Sequence, residues 1–219
     1  MHPRSVRDSI QQTVRYHGTG AAIYDATVRT INRVVYWKNV YCLVLEEQNP
    51  EPVLLRPSMR FVNMNEQSLL RYSSSNQHEL PESFVRQAFG RGDECFAILD
   101  GDAIASYAWY SKHPTVVERG LRLRFAPEYV YRYKVFTVSC YRGQRLDAVG
   151  GALALSHYRT SGFRGFICCV LSNNFASLKA CYRIGYRLCG SIRVLRIGGK
   201  SLIWHLGNCE QYGLALSAT

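Results

Sequence analysis

Between Tyr129 and Tyr186 the spacing of apolar side chains changes period several times. Tyr129 to Val138 is aromatic, β-branched or basic throughout, the composition of a strand. Ser139 to Arg145 interrupts it with polar and basic residues. From Leu146 to Tyr158 the apolar positions Leu146, Val149, Leu153 and Tyr158 recur at helical spacing. Ser161-Gly162 ends that helix, because glycine takes the left-handed C-cap conformation at little cost. Gly165 to Leu171 predicts a second apolar strand. Asn173 or Asn174 then caps a helix from Phe175 to Ile184, which Gly185 closes. A strand, helix, strand succession implies two parallel strands joined by a right-handed crossover.

The remaining chain predicts shorter elements. Residues 1–17 are polar and basic without a clear period, the pattern of a frayed segment. After Gly18-Thr19-Gly20, Ala21 to Val34 places Ile23, Ala26, Thr27, Thr30, Ile31 and Val34 near one helical face with arginines outward. Such a basic amphipathic helix is expected to pack on its own domain; a membrane surface is the alternative. Val35 to Leu45 reads as a strand, and Glu46 to Pro57, with three prolines, as a loop. Met59 to Asn63 is a short strand. Asn65 to Tyr72 and Leu80 to Phe89 are short helices around the turn Ser73-Ser74-Ser75-Asn76, with Pro81 in the first turn of the second. Glu94 to Leu99 and Ala103 to Tyr110 form a hairpin across Asp100-Gly101-Asp102. Glu118 to Phe125 is another strand or an extended lid. Tyr186 to Ile197 and Ser201 to Leu206 form a last hairpin across Gly198-Gly199-Lys200.

Composition narrows the class. The 219 residues are 47% hydrophobic, enough for a packed core. With 27 basic and 16 acidic residues the formal net charge is +11, which favours anionic ligands, nucleic acid or an anionic membrane face. The arginines are spread through predicted strands and loops, which argues against a nucleic-acid interface. The eight cysteines contain no Cys-x-x-Cys pair, so no zinc site is expected. They are expected to be free thiols in a reducing cytoplasm, since no secretory signal is read. No apolar run approaches the length of about twenty residues that spans a bilayer.

The basic turn into a helix N-terminus is a place for phosphates, because free backbone N–H groups and the helix dipole favour an anion there. Arg142 and Arg145 add full charges. Arg142-Gly143-Gln144-Arg145-Leu146-Asp147 resembles the pyrophosphate loop Arg/Gln-x-x-Gly-x-Gly/Ala of the GNAT superfamily of N-acyltransferases. Arg145 and Asp147 stand where that family has glycines. Arg145 compensates by charge, and Asp147 repels a phosphate unless it turns away. Asn174-Phe175-Ala176-Ser177 through Tyr182 to Gly185-Tyr186 resembles the family's second motif, with Tyr186 for the usual phenylalanine.

The resemblance covers roughly residues 94–206 and implies an α/β fold: a mixed, mostly antiparallel twisted sheet, helices on both faces and a central splayed strand pair. It implies residues 1–57 as an N-terminal extension packed on a core of 58–219. It also implies transfer of an acetyl or other acyl group from acyl-CoA to an amine by direct attack on the thioester. Tyr182 would protonate the CoA sulfur. Phe136, Thr137 and Val138 would pair with the pantetheine arm and polarise the thioester carbonyl. Arg142, Gly143, Gln144, Arg145 and Leu146 would hold the pyrophosphate, and Asn174 with Ser177 would flank the pantetheine. Glu118, Glu128 and His113 are the candidate general bases, with a water chain or no dedicated base as the alternatives, and Trp109, Tyr131 and Tyr133 the candidate acceptor wall. The expected partners are acyl-CoA and an amine, with a homodimer as a compatible assembly and no metal. The rival readings are a non-catalytic CoA-binding or interaction domain and a nucleic-acid-binding protein.

Overall fold

A computed structural model of the chain describes residues 6–48, 55–73, 76–118, 120–197 and 200–218. Its first element is a helix where fraying was expected: α1 (Val6–His17). It packs against α2 (Thr19–Val34), which leads into the strand β1 (Tyr36–Leu45). Then come β2 (Met59–Met64), α3 (Glu66–Ser73) and α4 (Glu82–Gly90), with Pro81 at the N-cap of α4. The hairpin β3 (Glu94–Asp100) and β4 (Ala103–Ser111) turns through Gly101 at φ 59°. The expected strand or lid at Glu118–Phe125 is instead a hairpin, β5 (Thr115–Glu118) and β6 (Leu121–Arg124), because Leu121 and Leu123 both turn into the core.

The central unit follows as β7 (Tyr129–Thr137), α5 (Leu146–Thr160), β8 (Gly165–Leu171) and α6 (Phe175–Ile184). The chain ends with β9 (Arg187–Ile197), β10 (Lys200–Gly207) and a strand the sequence did not announce, β11 (Ala215–Ala218). The turns expected at Ser74-Ser75 and Gly198-Gly199, and residues 49–54 of the proline-containing loop, lie outside the described residues.

Eight strands form one sheet in the order β10-β9-β1-β8-β7-β4-β3-β2, and β11-β6-β5 form a second. The fold is therefore α/β with a mixed, mostly antiparallel sheet. Residues 36–45, expected to lie on the core, are inside the sheet: β1 pairs with β8 on one side and β9 on the other. Its alternating side chains feed two cores. Leu43 and Leu45 join Phe96, Tyr110, Val130 and Phe166 in the layer that also holds Leu178 and Ile184 of α6. Cys42 and Val44 face the other way, toward Leu121, Leu123 and Leu216 of the small sheet. A third core, around Trp109, Leu69 and Val85, seats α3 and α4.

The face of α2 expected to pack does not. Ile23 is 68% exposed and Ile31 is also exposed, while Ala22 and Asp25 are buried. The helix is held by polar contacts to the β8–α6 connection: Tyr24 Oη lies 2.8 Å from Ser172 Oγ, and Asn173 Nδ2 donates to Asp25 at 2.8 Å. These partners select a face that hydrophobic spacing cannot indicate.

Only three residue pairs join the parallel strands, Tyr129–Gly165, Val130–Phe166 and Tyr131–Ile167. Beyond them β7 stays with β4 through Thr137, and β8 stays with β1 through Leu171. Each strand follows its antiparallel neighbour, so the two splay apart. Lys134, at φ 43°, marks a register shift in β7 along the open part.

Candidate active site

The splayed pair makes a cleft whose upper end is the loop between β7 and α5. After a short turn at Ser139–Tyr141, Gly143 takes φ 86° and Arg145 takes φ 57°, ψ 21° at the N-cap of α5. Arg145 thus adopts the left-handed conformation for which glycine is the usual residue. The first backbone bond of α5 runs from Val149 N–H to the Arg145 carbonyl, 3.1 Å. The N–H groups of Leu146, Asp147 and Ala148 precede that ladder and face the loop. Leu146 is buried beside Ile98 and anchors the helix; Arg142, Gly143, Gln144 and Arg145 are exposed.

Asp147 does turn away from this anion-favouring end. Its carboxylate pairs with Arg132, whose side chain is 4% exposed beneath α5. Arg132 also donates to Tyr110 Oη at 3.2 Å and to the Asp147 carbonyl at 3.3 Å. Burial opposes the guanidinium charge, but the Asp147 carboxylate outweighs it and the pKa lies above the ordinary arginine value.

The strand segment expected to meet pantetheine is partly engaged already. Phe136 O accepts from Ser106 Oγ at 3.0 Å, and Thr137 Oγ1 lies 2.9 Å from the same hydroxyl. Arg142 Nε donates to Thr137 O at 3.2 Å. The Val138 N–H donates to Ala105 O at 3.0 Å, so it is committed to β4 and not to a ligand. The edge of β7 facing β8 is unpaired from Arg132 to Thr137.

On the other wall, Asn174 caps α6 by accepting from the Ser177 N–H at 3.2 Å, and Gly185 closes the helix at φ 117°. Tyr182 does not share the face of Asn174. At about 100° per residue, seven residues return to the same side of a helix, whereas eight overshoot by about 80°. Tyr182 is 45% exposed and opens beside Arg159, Phe163 and Arg164 at the C-terminal end of α5. The 15-residue α5 is about 22 Å long, so that end is remote from the loop. Partial burial raises the Tyr182 pKa. The residue seven after Asn174 is Cys181, which packs with the core under α6, its sulfur 3.9 Å from Cys168 Sγ on β8.

The candidate bases are dispersed. Glu118 lies in the small sheet, 3.9 Å from Lys38 Nζ. Glu128 precedes β7, about 13 Å along the strand from Arg132. The His113 carbonyl accepts from Ser111 Oγ in the turn after β4. The three stand at separate places in the fold. Trp109 is fully buried in the core of α3 and α4. Tyr131 and Tyr133 do stack beside the opening, 5.5 Å apart, with Phe84 6.4 Å from Tyr133 and Lys134 Nζ over the Phe84 ring at 4.6 Å. The Tyr133 hydroxyl donates to buried Asp93 at 2.6 Å, a carboxylate that Arg91 also holds. Burial raises the Tyr133 pKa and lowers that of Lys134.

Sequence reasoning missed Arg132, Cys168 and Cys181. A charge alternating with apolar residues in a strand, and a cysteine seven residues after the helix cap, were the available signals. Among the described residues no group of three or more His, Cys, Asp or Glu side chains is placed to hold a metal.

No family model and no curated protein matches the sequence. Solved structures do match the fold. A Drosophila protein aligns with a TM-score of 0.54 at 10% identity, over 81% of this chain and 57% of its own. A GCN5-related N-acetyltransferase from Sphaerobacter thermophilus gives 0.52 at 11%, over 83% and 57%. A GCN5-related N-acetyltransferase-like protein from Streptococcus suis gives 0.50 at 14%, over 80% and 67%. The chain thus spans little more than half the length of the first two. Its fold is that of the GNAT N-acetyltransferases, with the same layered, largely antiparallel sheet.

Proposed function

We propose that the chain is an N-acyltransferase that moves an acetyl or other acyl group from acyl-CoA to an amine. The observation that carries this reading is the separation of β7 and β8 after three residue pairs, at a cleft capped by the α5 N-terminus. An open strand edge accepts an extended amide-bearing ligand by backbone pairing. In this reading pantetheine lies along the β7 edge below Thr137. The pyrophosphate meets the N–H groups of Leu146 to Ala148, with Arg142 and Arg145 supplying charge. With Asp147 held by Arg132, its negative charge is compensated from below and does not oppose a phosphate.

The acyl carbon would then lie near the vertex of the cleft, at the level of Arg132 and Cys168. The amine would enter from the opposite sheet face, past Tyr131, Tyr133 and Phe84. An aromatic wall at that point excludes water and suits the neutral amine that must attack. Glu118, Glu128 and Tyr182 are given no role in this reading. A cytoplasmic setting suits the eight free cysteines. No described helix is long and apolar enough to cross a membrane.

The test is calorimetric titration of the full chain with acetyl-CoA and with CoA, followed by an amine screen for N-acetyl product. Micromolar binding with amine-dependent release of CoA is expected. Absence of binding by acetyl-CoA and longer acyl-CoAs at low salt defeats the reading.

A further inference from the structure

At the vertex of the cleft, on the side covered by α5 and α6, lie Cys181, Cys168, Arg132 and Tyr186. Cys181 on the inner face of α6 lies 3.9 Å, sulfur to sulfur, from Cys168 on β8. Cys168 is the first β8 residue after the last pair with β7, and Arg132 is its counterpart on β7. The hydroxyl of Tyr186, a residue only 3% exposed, has no hydrogen-bond partner. It is electrostatically coupled to Arg132, Cys168 and Cys181. A buried O–H donor with nothing to donate to is costly unless a ligand atom completes it.

The two thiols differ in a way that assigns roles. The hydrogen bond between them, first of all, lowers the pKa of Cys181 and raises that of Cys168. Burial adds to the rise at Cys168, while Arg132 favours the Cys181 thiolate. Cys181 is therefore the thiol of the pair that a substrate can reach, with Cys168 as its hydrogen-bond partner. Cys168 is buried, whereas Cys181 keeps partial access.

We propose that Cys181 is an acyl-accepting thiol, with Cys168 and Arg132 as its positioning residues and an acyl thioester as its substrate. The assignment rests on the acyltransferase reading for its physiological donor, and it replaces direct attack of the amine on acyl-CoA with two transfers through Cys181. The Cys181 sulfur forms a bond to the acyl carbon, the bond from that carbon to the CoA sulfur breaks, and CoA leaves as thiolate and takes up a proton. The product is again a thioester, so no oxidant or energy source is required. In the second step an amine attacks the acyl-Cys181 carbon, the carbon–sulfur bond breaks, and the amine's proton passes to the released thiolate or to water. The Tyr186 hydroxyl is the uncommitted donor for the carbonyl oxygen as charge develops.

The experiment incubates the full chain, without amine, with radiolabelled acetyl-CoA and separately with the labelled short thioester S-acetyl-N-acetylcysteamine. Samples are quenched in acid, split with and without neutral hydroxylamine, and mapped by peptide mass. Label is expected on Cys181, removed by hydroxylamine, and at least tenfold lower in Cys181→Ala. Cys181→Ser, with circular dichroism matching the parent, guards against a folding failure. In Cys168→Ala the pH midpoint for alkylation of Cys181 by iodoacetamide is expected to rise, which a packing role alone would not produce. Label from the short thioester but no binding of acetyl-CoA keeps this assignment and removes the acyl-CoA reading. Absence of hydroxylamine-sensitive label from both donors overturns it. So does a Cys181→Ala protein that forms N-acetyl product within twofold of the parent rate.

Discussion

Arg132 on β7 and Asp147 in the first turn of α5 form an ion pair across the sheet–helix interface, its arginine buried and its carboxylate half-buried. The pair explains how an acidic residue occupies a helix N-terminus that the proposed function gives to phosphates. It also joins α5 to β7, with the guanidinium packed under Gly151, where a Cβ would sit 3.7 Å from Arg132 Cζ in ordinary contact.

Removing one partner leaves a buried charge alone. Asp147→Ala is expected to cost about 3–5 kcal/mol, whereas Arg132→Met combined with Asp147→Leu recovers most of it. Urea denaturation of the three proteins checks this. A single variant within about 0.5 kcal/mol of the parent would show that the pair contributes nothing.

Arg145 holds a conformation that costs an L-residue roughly 1–2 kcal/mol. Glycine would remove that strain but loses about as much in unfolded-state entropy. Arg145→Gly should therefore stay within about 1 kcal/mol of parent stability. Its acetyl-CoA affinity should fall about tenfold at low salt, the value of roughly one charged hydrogen bond. The deficit should shrink as salt is added. Unchanged affinity at low salt would mean that the side chain does not reach the phosphates.

Tyr182→Phe separates the two faces of α6. With Tyr182 45% exposed on the flank of α6, the variant should keep acyl transfer within about twofold of the parent. A loss of about a hundredfold or more, the scale of a missing general acid, would restore the role read from the sequence.

Gly165 tests the place of β1. A Cβ on Gly165 would lie 2.1 Å from the Leu45 carbonyl oxygen, a backbone atom of the neighbouring strand. Gly165→Ala should cost more than about 4 kcal/mol, or abolish soluble folding. Thermal unfolding reads it, and a cost below about 1 kcal/mol would contradict the pairing of β1 with β8.

The central β-α-β unit was legible because its signals are local. The strand composition of Tyr129–Val138, the glycine after α5 and the cap at Asn174 each act within a few residues, and β8 and α6 have the bounds that the sequence predicted. The same local logic identified β1 as a strand but could not say which strands it would join, since strand neighbours are chosen across the whole chain. Leu45 and Gly165 are adjacent only in the folded sheet.

The site divides along the same line. The sequence by itself determined the basic turn, with Arg142, Gly143 and Arg145, that leads into α5. Tertiary structure alone decided that Asp147 faces Arg132, that Glu118 pairs with Lys38, and that Cys181 packs inward beside Cys168. The reason is geometric. One residue rotates a helical side chain by about 100°, and a strand residue's surroundings depend on which neighbours the sheet supplies.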